Sequence, residues 1–579
     1  EVNTSVSSKS LTIFACTRNA GFACRLCRLS NQAVRGMNQP PGQTLTTGIR
    51  AGQRQGEPIV LQVLLELATA LYVLAAGLLA FFVGSFGVLI ALYLRTRHDE
   101  VPPPAVNDDD LPAVTVQLPI YNEAHVVTRL IAACARLDYP RDRLHIQIID
   151  DSTDETTQAL QEAIAAWQER GAPAMTLLRR PARTGFKAGA LAWGLQHVRT
   201  PFVALFDADF VPPRDFLRRI VPYFCADERL ALVQTRWSHL NDTATPLTRA
   251  QALTTDGHFV IEQIARSRGG LPMSMNGSGG VWRVAALQDA GGWSADTLTE
   301  DLDLSYRALL RGWRFCYLPQ VAVPGELTPQ VQAYKVQQRR WATGMTQNLL
   351  RHAMPLLRAR RYAPWQRVMG LLHLGQYAVQ PLILLMLLLT PPLAASGTLA
   401  RLPALGLLSV TGVIPPLMMI LAQRALYPDW PRRLLAMPLQ GMIASALVLN
   451  NTLGVLDALL GTRAAKEFRR TPKFNVTVGD RWARSRYALP ADRVTLGELA
   501  LGMYALGGLI VAVQHAPALI GYFGTYAISL IGFALWNLAQ SWRMRRSYRQ
   551  GQPFCFPGIR RAPFPLPRSP HQLSGEEKP

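Results

Sequence analysis

Several groups of side chains in this sequence have types and spacings that could carry chemistry. The stretch "VALFDADFVPP" leads apolar, β-forming residues into Asp207 and Asp209, and Pro212 and Pro213 stop the strand. Alternate side chains of a strand share a face, so this spacing predicts two carboxylates pointing one way. Two hard oxygen ligands side by side suit Mg²⁺ or Mn²⁺ carrying a diphosphate. An acidic turn without a metal is the plainer alternative. "IIDDSTDET" ends a second strand on Asp150 and Asp151, which could accept hydrogen bonds from a base and a ribose or simply cap the next helix. "TEDLDLSYRALLRGW" opens a helix with Thr299 as its expected N-cap, placing Glu300 and Asp301 at the helix's positive end. Capping and the dipole alone would explain both acids. An ionised carboxylate close to an acceptor hydroxyl is also what a general base requires. Asp303 and Arg307, four residues apart, read as an ordinary helix pair.

Lys187, in "GFKAGAL", stands beside glycines and could neutralise a phosphate or lie solvated at the surface. Gly277, Gly279 and Gly280 in "NGSGGVWR" allow close backbone approach to a ligand. No strand–helix frame makes them a dinucleotide fingerprint. "QQRRW" sets Gln337, Arg340 and Trp341 shortly before long apolar segments. From the residues alone, an interfacial helix with Trp at the headgroup level explains it.

The elements that must position these groups follow from the distribution of apolar residues. The chain has 579 residues, of which 49% are hydrophobic and only 17% charged, against roughly 25% charged in a soluble domain. Apolar runs cover 61–94, 367–391, 403–424, 434–461, 492–514 and 518–540. Most reach the roughly 20 residues a membrane-crossing helix needs. The formal net charge is +21, but much of the basic charge flanks these runs, as in "RARRYAPWQR" and "RAAKEFRRTPK". That pattern marks cytoplasmic flanks facing anionic lipid rather than a nucleic-acid site. A transporter would show inverted repeats, and these runs show none.

The expected organisation is a disordered segment over 1–59, with a start at Met37 left open and no signal peptide, then a transmembrane helix over 60–95 and a linker over 96–112. A cytoplasmic α/β domain follows over 113–345, then an interfacial amphipathic helix over 346–366. Transmembrane and interfacial helices over 367–461, a cytoplasmic basic loop over 462–491, a transmembrane hairpin over 492–540 and a cytoplasmic tail over 541–579 complete it. Both basic segments 463–491 and 543 onward belong on the cytoplasmic side. One apolar run must then fail to cross, and 434–461 is favoured because Asn450, Asn451 and Asp457 are costly in lipid. Of seven cysteines, Cys24 and Cys27 form a lone C-x-x-C, while Cys134, Cys225 and Cys316 read as reduced, buried or half-buried thiols. Within 113–345, "AVTVQLPI", "LHIQIID", "AMTLLRR" and "PFVALFDAD" alternate with helical patterns. This βαβαβαβ order predicts a doubly wound, mostly parallel sheet inserted between transmembrane helices, with the acids beyond the strands' carboxyl ends.

Taken in order, "PIYNE", "DDSTDET", "GFKAGAL", "FDADF", "LVQTRWSHLN", "NGSGGVWR", "AGGW", "TEDLDLSYRALLRGW", "VPGELTPQ" and "QQRRW" resemble the inverting, processive family-2 glycosyltransferases. The cellulose synthase-like branch, with its mannan and glucomannan synthases, is the most similar. The resemblance implies a GT-A type domain and a membrane-embedded hexosyltransferase of the inner membrane. UDP-glucose or GDP-mannose would be the donor, and a β-glucan or β-mannan the product. It implies that Asp150 and Asp151 contact the nucleotide, with Lys187 and Arg340 also on the donor. Asp207 and Asp209 would hold Mg²⁺ or Mn²⁺, and Asp301 would be the base. Gln337, Trp341 and Glu300 would meet the acceptor, Trp341 by stacking under a sugar ring. Leu271, Met273 and Met275 stand where related synthases carry aromatics. A glycolipid synthase acting on diacylglycerol or ceramide is the alternative reading.

Overall fold

The computed structural model describes residues 59–549 apart from 100–101, 103, 403–409 and 476–480. The expectations for 1–58, including the Cys24–Cys27 pair, and for the tail beyond 549 lie outside the described residues. Seven strands form one sheet: β1 (Val114–Ile120), β2 (Leu144–Asp150), β3 (Ala174–Leu178), β4 (Phe202–Leu205), β5 (Leu230–His239), β6 (Gly280–Arg283) and β7 (Arg314–Gly325). Their order is β3-β2-β1-β4-β6-β5-β7. β3, β2, β1 and β4 pair in parallel, β6 runs antiparallel to both β4 and β5, and β5 pairs in parallel with β7. The result is a GT-A-like α/β domain with a mostly parallel sheet. The apolar runs of β1, β2 and β4 are buried nearly end to end because helices cover both faces of the sheet. The strand order reverses between β1 and its two neighbours, so a crevice opens outside the carboxyl ends of β1, β2 and β4.

Four described helices are long and apolar enough to cross a bilayer: Ile59–Thr96, Gln376–Ala395, Val494–His515 and Pro517–Ser547. The chain is therefore a multi-pass membrane protein with its polar domain between the first and later spans. A bent pair, Trp430–Ala446 and Val448–Leu460, breaks by 43° and would add a fifth span if counted as one. Its polar groups are held by protein. Asn450 donates to the Lys335 carbonyl at 3.0 Å, and Asp457 accepts from Arg339 at 2.7 Å.

Two boundaries and one burial differ from the sequence expectation. Residues 345 and 346 lie inside one helix, Val331–Arg358, so the interfacial segment continues the α/β domain's last helix. The final helix runs on through the basic residues to Arg549 instead of ending at 540. Cys225 is exposed, whereas Cys134 is buried as expected. Leu271, Met273 and Met275 are buried core, and the Met275 sulfur accepts a hydrogen bond from Trp282 Nε1 at 2.9 Å.

Candidate active site

β4 ends at Leu205, so Asp207 and Asp209 stand in the turn that follows, not on a strand face. The alternation argument therefore does not apply, and the turn gives the two acids different surroundings. Asp207 opens to the cleft and pairs with Lys187 at 2.6 Å. Asp209 is buried, accepting from Lys473 at 2.7 Å and from the Glu326 N–H at 3.3 Å. Lys187 lies in the first turn of the helix Phe186–Leu195 and is mostly buried rather than a surface lysine. It also donates to the Gly277 carbonyl at 3.0 Å and lies 3.5 Å from Glu300.

Asp301 is the second residue of the helix Glu300–Leu310 and accepts from the Leu302 N–H at 2.9 Å. Thr299 sits at the N-cap position but makes no side-chain cap. Its hydroxyl accepts instead from Asn348 at 2.9 Å, tying this helix to Val331–Arg358. Gly277, at φ +78°, brings these groups together. A Cβ there would lie 3.2 Å from Asp301 Oδ2, 3.6 Å from Lys187 Nζ and 4.0 Å from Asp207 Oδ2. The bare backbone therefore lies close against the cluster, where a Cβ would be tight and the positive φ would strain any side-chain-bearing residue.

Burial, then the neighbouring Glu300, pushes the Asp301 carboxyl up to about 7. Burial also raises Asp207, against the pull of Lys187. A group poised near 7 can take a proton and give it back. If Asp301 is the essential base, the free protein holds it protonated in acid and ionised in alkali. The kcat/KM should then fall about tenfold per pH unit below roughly pH 7 and level off above it. Glu123, across the cleft, is likewise pushed to about 7 by burial, against the Arg470 guanidinium 2.7 Å away. A pH–rate profile of Glu123→Gln separates the two: the acid limb should persist.

The donor set fits a divalent cation of the kind that keeps few protein ligands. Among the described residues no group of three or more metal-ligating side chains exists. Mg²⁺ commonly takes one or two carboxylates plus substrate phosphates. Asp207 already attracts a cation and faces open space, whereas Asp209 would have to exchange Lys473 for the metal.

Gln337, Arg340 and Trp341 stand at i, i+3 and i+4 on the helix Val331–Arg358 and line the same cleft as Asp207 and Asp301. The opposite face anchors the helix in the membrane region. Lys335 pairs with Glu498 at 2.9 Å, and Arg339 pairs with Asp457. Gly344 lets the helix approach closely, since a Cβ there would fall 2.6 Å from Thr299 Cγ2. Arg340 stacks over Phe468 at 4.5 Å, and its buried Nε has no partner among the described residues. Burial lowers its pKa, opposed by Glu300, Asp207 and Asp301.

Asp151 also lines the cleft, held by Arg180 at 2.9 Å. Asp150 does not. Its carboxylate is buried, accepting from the Ser152 N–H at 2.9 Å and the Thr157 hydroxyl at 2.6 Å. It locks the turn after β2. The basic loop contributes groups that sequence reasoning missed. Phe468, Arg470 and Lys473 reach over the α/β domain and line the cleft. The only local signal was the density of basic charge in "KEFRRTPK", read above as a membrane flank. The cleft has a volume of about 640 Å³ and continues past Gln376 and Tyr377 to Met418, Gln440, Ile443 and Asn451 of the membrane-region helices.

Residues 112–344 match the family model described as "Glycosyltransferase like family 2". The chain is 39% identical over 292 residues to a probable glucomannan 4-beta-mannosyltransferase 3 of Arabidopsis thaliana, covering 48% of this chain and 52% of that one. It is 32% identical over 454 residues to a probable glucomannan 4-beta-mannosyltransferase 2 of Oryza sativa subsp. japonica, covering 75% and 76% respectively. Against several of these curated relatives the chain spans little more than half their length. A solved mannosyltransferase from Pyrobaculum calidifontis, in complex with GDP-Man and Mn²⁺, is similar at a TM-score of 0.46 and 22% identity. That match covers 67% of this chain and 100% of that one.

Proposed function

Since the chain belongs to the family-2 glycosyltransferases, we propose that its cleft moves a hexose from a nucleotide sugar onto a β-linked glycan, with inversion at the anomeric carbon. The observation that carries this reading is the meeting of Asp301, Lys187 and Asp207 around Gly277, with Arg340, whose buried Nε has no hydrogen-bond partner among the described residues, in the same cleft. A base candidate, a cation-attracting carboxylate and two groups that can meet a diphosphate thus share one space.

In this mechanism the ionised Asp301 takes the proton of an acceptor hydroxyl. The acceptor oxygen forms its bond to the anomeric carbon as the bond to the diphosphate oxygen breaks, and an α-linked donor gives a β-linked product. Arg340 and Lys187 bind the departing diphosphate, the guanidinium through its fork of donors. A Mg²⁺ or Mn²⁺ held by Asp207, with Asp209 behind it, would neutralise charge on that leaving group. Trp341 offers an aromatic face to the apolar side of the acceptor sugar, with Gln337 beside it. Asp151 faces the nucleotide.

The cleft's continuation toward Gln440 and Asn451 supports a growing chain that leaves through the membrane helices. Their basic flanks support a cytoplasmic side for the α/β domain and for the described part of the loop over 462–491.

The test uses the full chain in nanodiscs with radiolabelled UDP-glucose or GDP-mannose, followed by digestion with linkage-specific glycosidases and product sizing. A ladder of β-linked hexose polymer is the expected result. A single lipid-soluble spot would replace the polymer reading with a glycolipid product, and no labelled product from either donor would contradict hexosyl transfer.

A further inference from the structure

The final helix, Ile520–Arg549, carries two stripes along its length. Ile528, Leu535 and Trp542 recur every seven residues, nearly two turns, and all three are exposed. Leu530, Asn537 and Met544 recur at the same spacing and are buried. The first stripe is the helix's lipid face and the second its protein face. At 1.5 Å per residue, Trp542 stands about 33 Å along the axis from Ile520, close to the roughly 30 Å depth of a hydrocarbon core. That puts its ring, 61% exposed, at headgroup level. Arg545 and Arg546 lie three and four residues further, on the Trp542 face and one turn beyond it. Both are exposed, and no carboxylate among the described residues pairs with either. The Arg546 guanidinium carbon sits 5.5 Å from the centre of the Trp542 ring, which holds it to that face.

The protein face of the same turns holds elements of the cleft. Gln540 accepts from the Val331 N–H at 2.9 Å, one of the donors left open at the start of the helix that carries Arg340 and Trp341. Ser541 accepts from the Ala491 N–H at 3.3 Å. Met544 is buried among Phe474, Trp482 and Ala488. Phe474 directly follows Lys473, which reaches Asp209. The seat of the basic loop and the start of Val331–Arg358 therefore rest on the turns that present Arg545 and Arg546.

We propose that Trp542, Arg545 and Arg546 form a binding site for the headgroup of an anionic phospholipid, and that its occupancy raises the activity of the cleft. The site continues the lipid-facing stripe, which commits it to a lipid rather than to a free phosphate. A phosphodiester meets the two guanidiniums through charge-assisted hydrogen bonds. A headgroup so held pins these two turns, and with them the loop that supplies Phe468, Arg470 and Lys473 to the cleft. The site itself lies outside the donor and acceptor cleft; the transfer readout rests on the function proposed above.

The experiment titrates phosphatidylglycerol into phosphatidylcholine nanodiscs holding the full chain. Transfer rate is measured beside the number of phosphatidylglycerol molecules retained on the protein, read by native mass spectrometry. Wild type is compared with Arg545→Gln/Arg546→Gln and with Arg545→Lys/Arg546→Lys. Each basic residue near an anionic surface is worth about fivefold, so phosphatidylglycerol should raise wild-type transfer about fivefold or more. The Gln pair should lose both the retained lipid and the activation, while staying within about twofold of wild type in phosphatidylcholine alone. The Lys pair keeps both charges and should keep most of the activation. Glycerol 3-phosphate added to phosphatidylcholine nanodiscs should not activate. Equal or lower wild-type rates with phosphatidylglycerol, or undiminished activation in the Gln pair, would overturn the inference. Activation by glycerol 3-phosphate would also overturn it, because the ligand would then be a free phosphate. So would a Gln pair inactive in phosphatidylcholine alone, since the arginines would then serve only the fold. If wild type transfers from neither donor in any lipid, the function proposed above fails, and lipid retained by wild type but not by the Gln pair still supports the site.

Discussion

Asp301→Asn should lower turnover by roughly 10²–10⁴-fold while leaving nucleotide binding nearly intact, the range expected for a positioned general base. The substitution keeps size and shape. The amide oxygen can still accept from the Leu302 N–H, as Asp301 Oδ1 does at 2.9 Å, so the start of the helix should survive. What disappears is the one group beside Gly277 whose carboxyl is pushed to about 7 by burial and Glu300. Transfer rate measured beside donor titration separates the two effects. Near wild-type turnover would reduce Asp301 to a helix-terminus acid. Loss of donor binding in step with turnover would make it part of the binding site instead.

Asp207→Asn should weaken Mn²⁺ binding and lower transfer on the order of 10³-fold, because several kcal/mol of leaving-group stabilisation depend on the metal. The geometry makes Asp207 the more telling of the two turn acids. It opens to the cleft and holds only Lys187, whereas Asp209 is buried beneath Lys473 and the Glu326 N–H. Paramagnetic resonance of Mn²⁺, titrated with and without nucleoside diphosphate, reads the binding directly. EDTA should abolish wild-type transfer, and Mn²⁺ or Mg²⁺ should restore it. Full activity in extensively chelated protein, or unchanged Mn²⁺ affinity in Asp207→Asn, would remove the metal from the account.

Where the sequence sufficed, local periodicity carried the information. The apolar runs before Asp150 and Asp207 and the helical spacings between them specify β1 to β4 and their parallel order. The i, i+3, i+4 spacing puts Gln337, Arg340 and Trp341 on one helix face without any structure. What was not legible depends on contacts distant in sequence. β6 is four residues long and antiparallel to both neighbours, which no local pattern in "NGSGGVWR" specifies. The strand before Asp207 stops two residues early because the chain must turn there, so alternation could not predict the carboxylates' directions. Asp150 and Asp151 are adjacent in sequence, yet one is consumed by Ser152 and Thr157 and the other faces the cleft. Lys473 meets Asp209 across more than 260 positions, so its charge read only as a membrane flank.

The acid cluster around Gly277 is asked to perform one displacement, and the anomeric configuration of the product records whether it does. Proton NMR of the oligosaccharide made from an α-linked nucleotide hexose by the full chain in nanodiscs, taken before any chemical equilibration, gives that configuration. The predicted result is a β-anomeric signal at every newly formed linkage. An α-anomeric signal would require retention and a second nucleophile, and would contradict a mechanism in which Asp301 acts alone as the base.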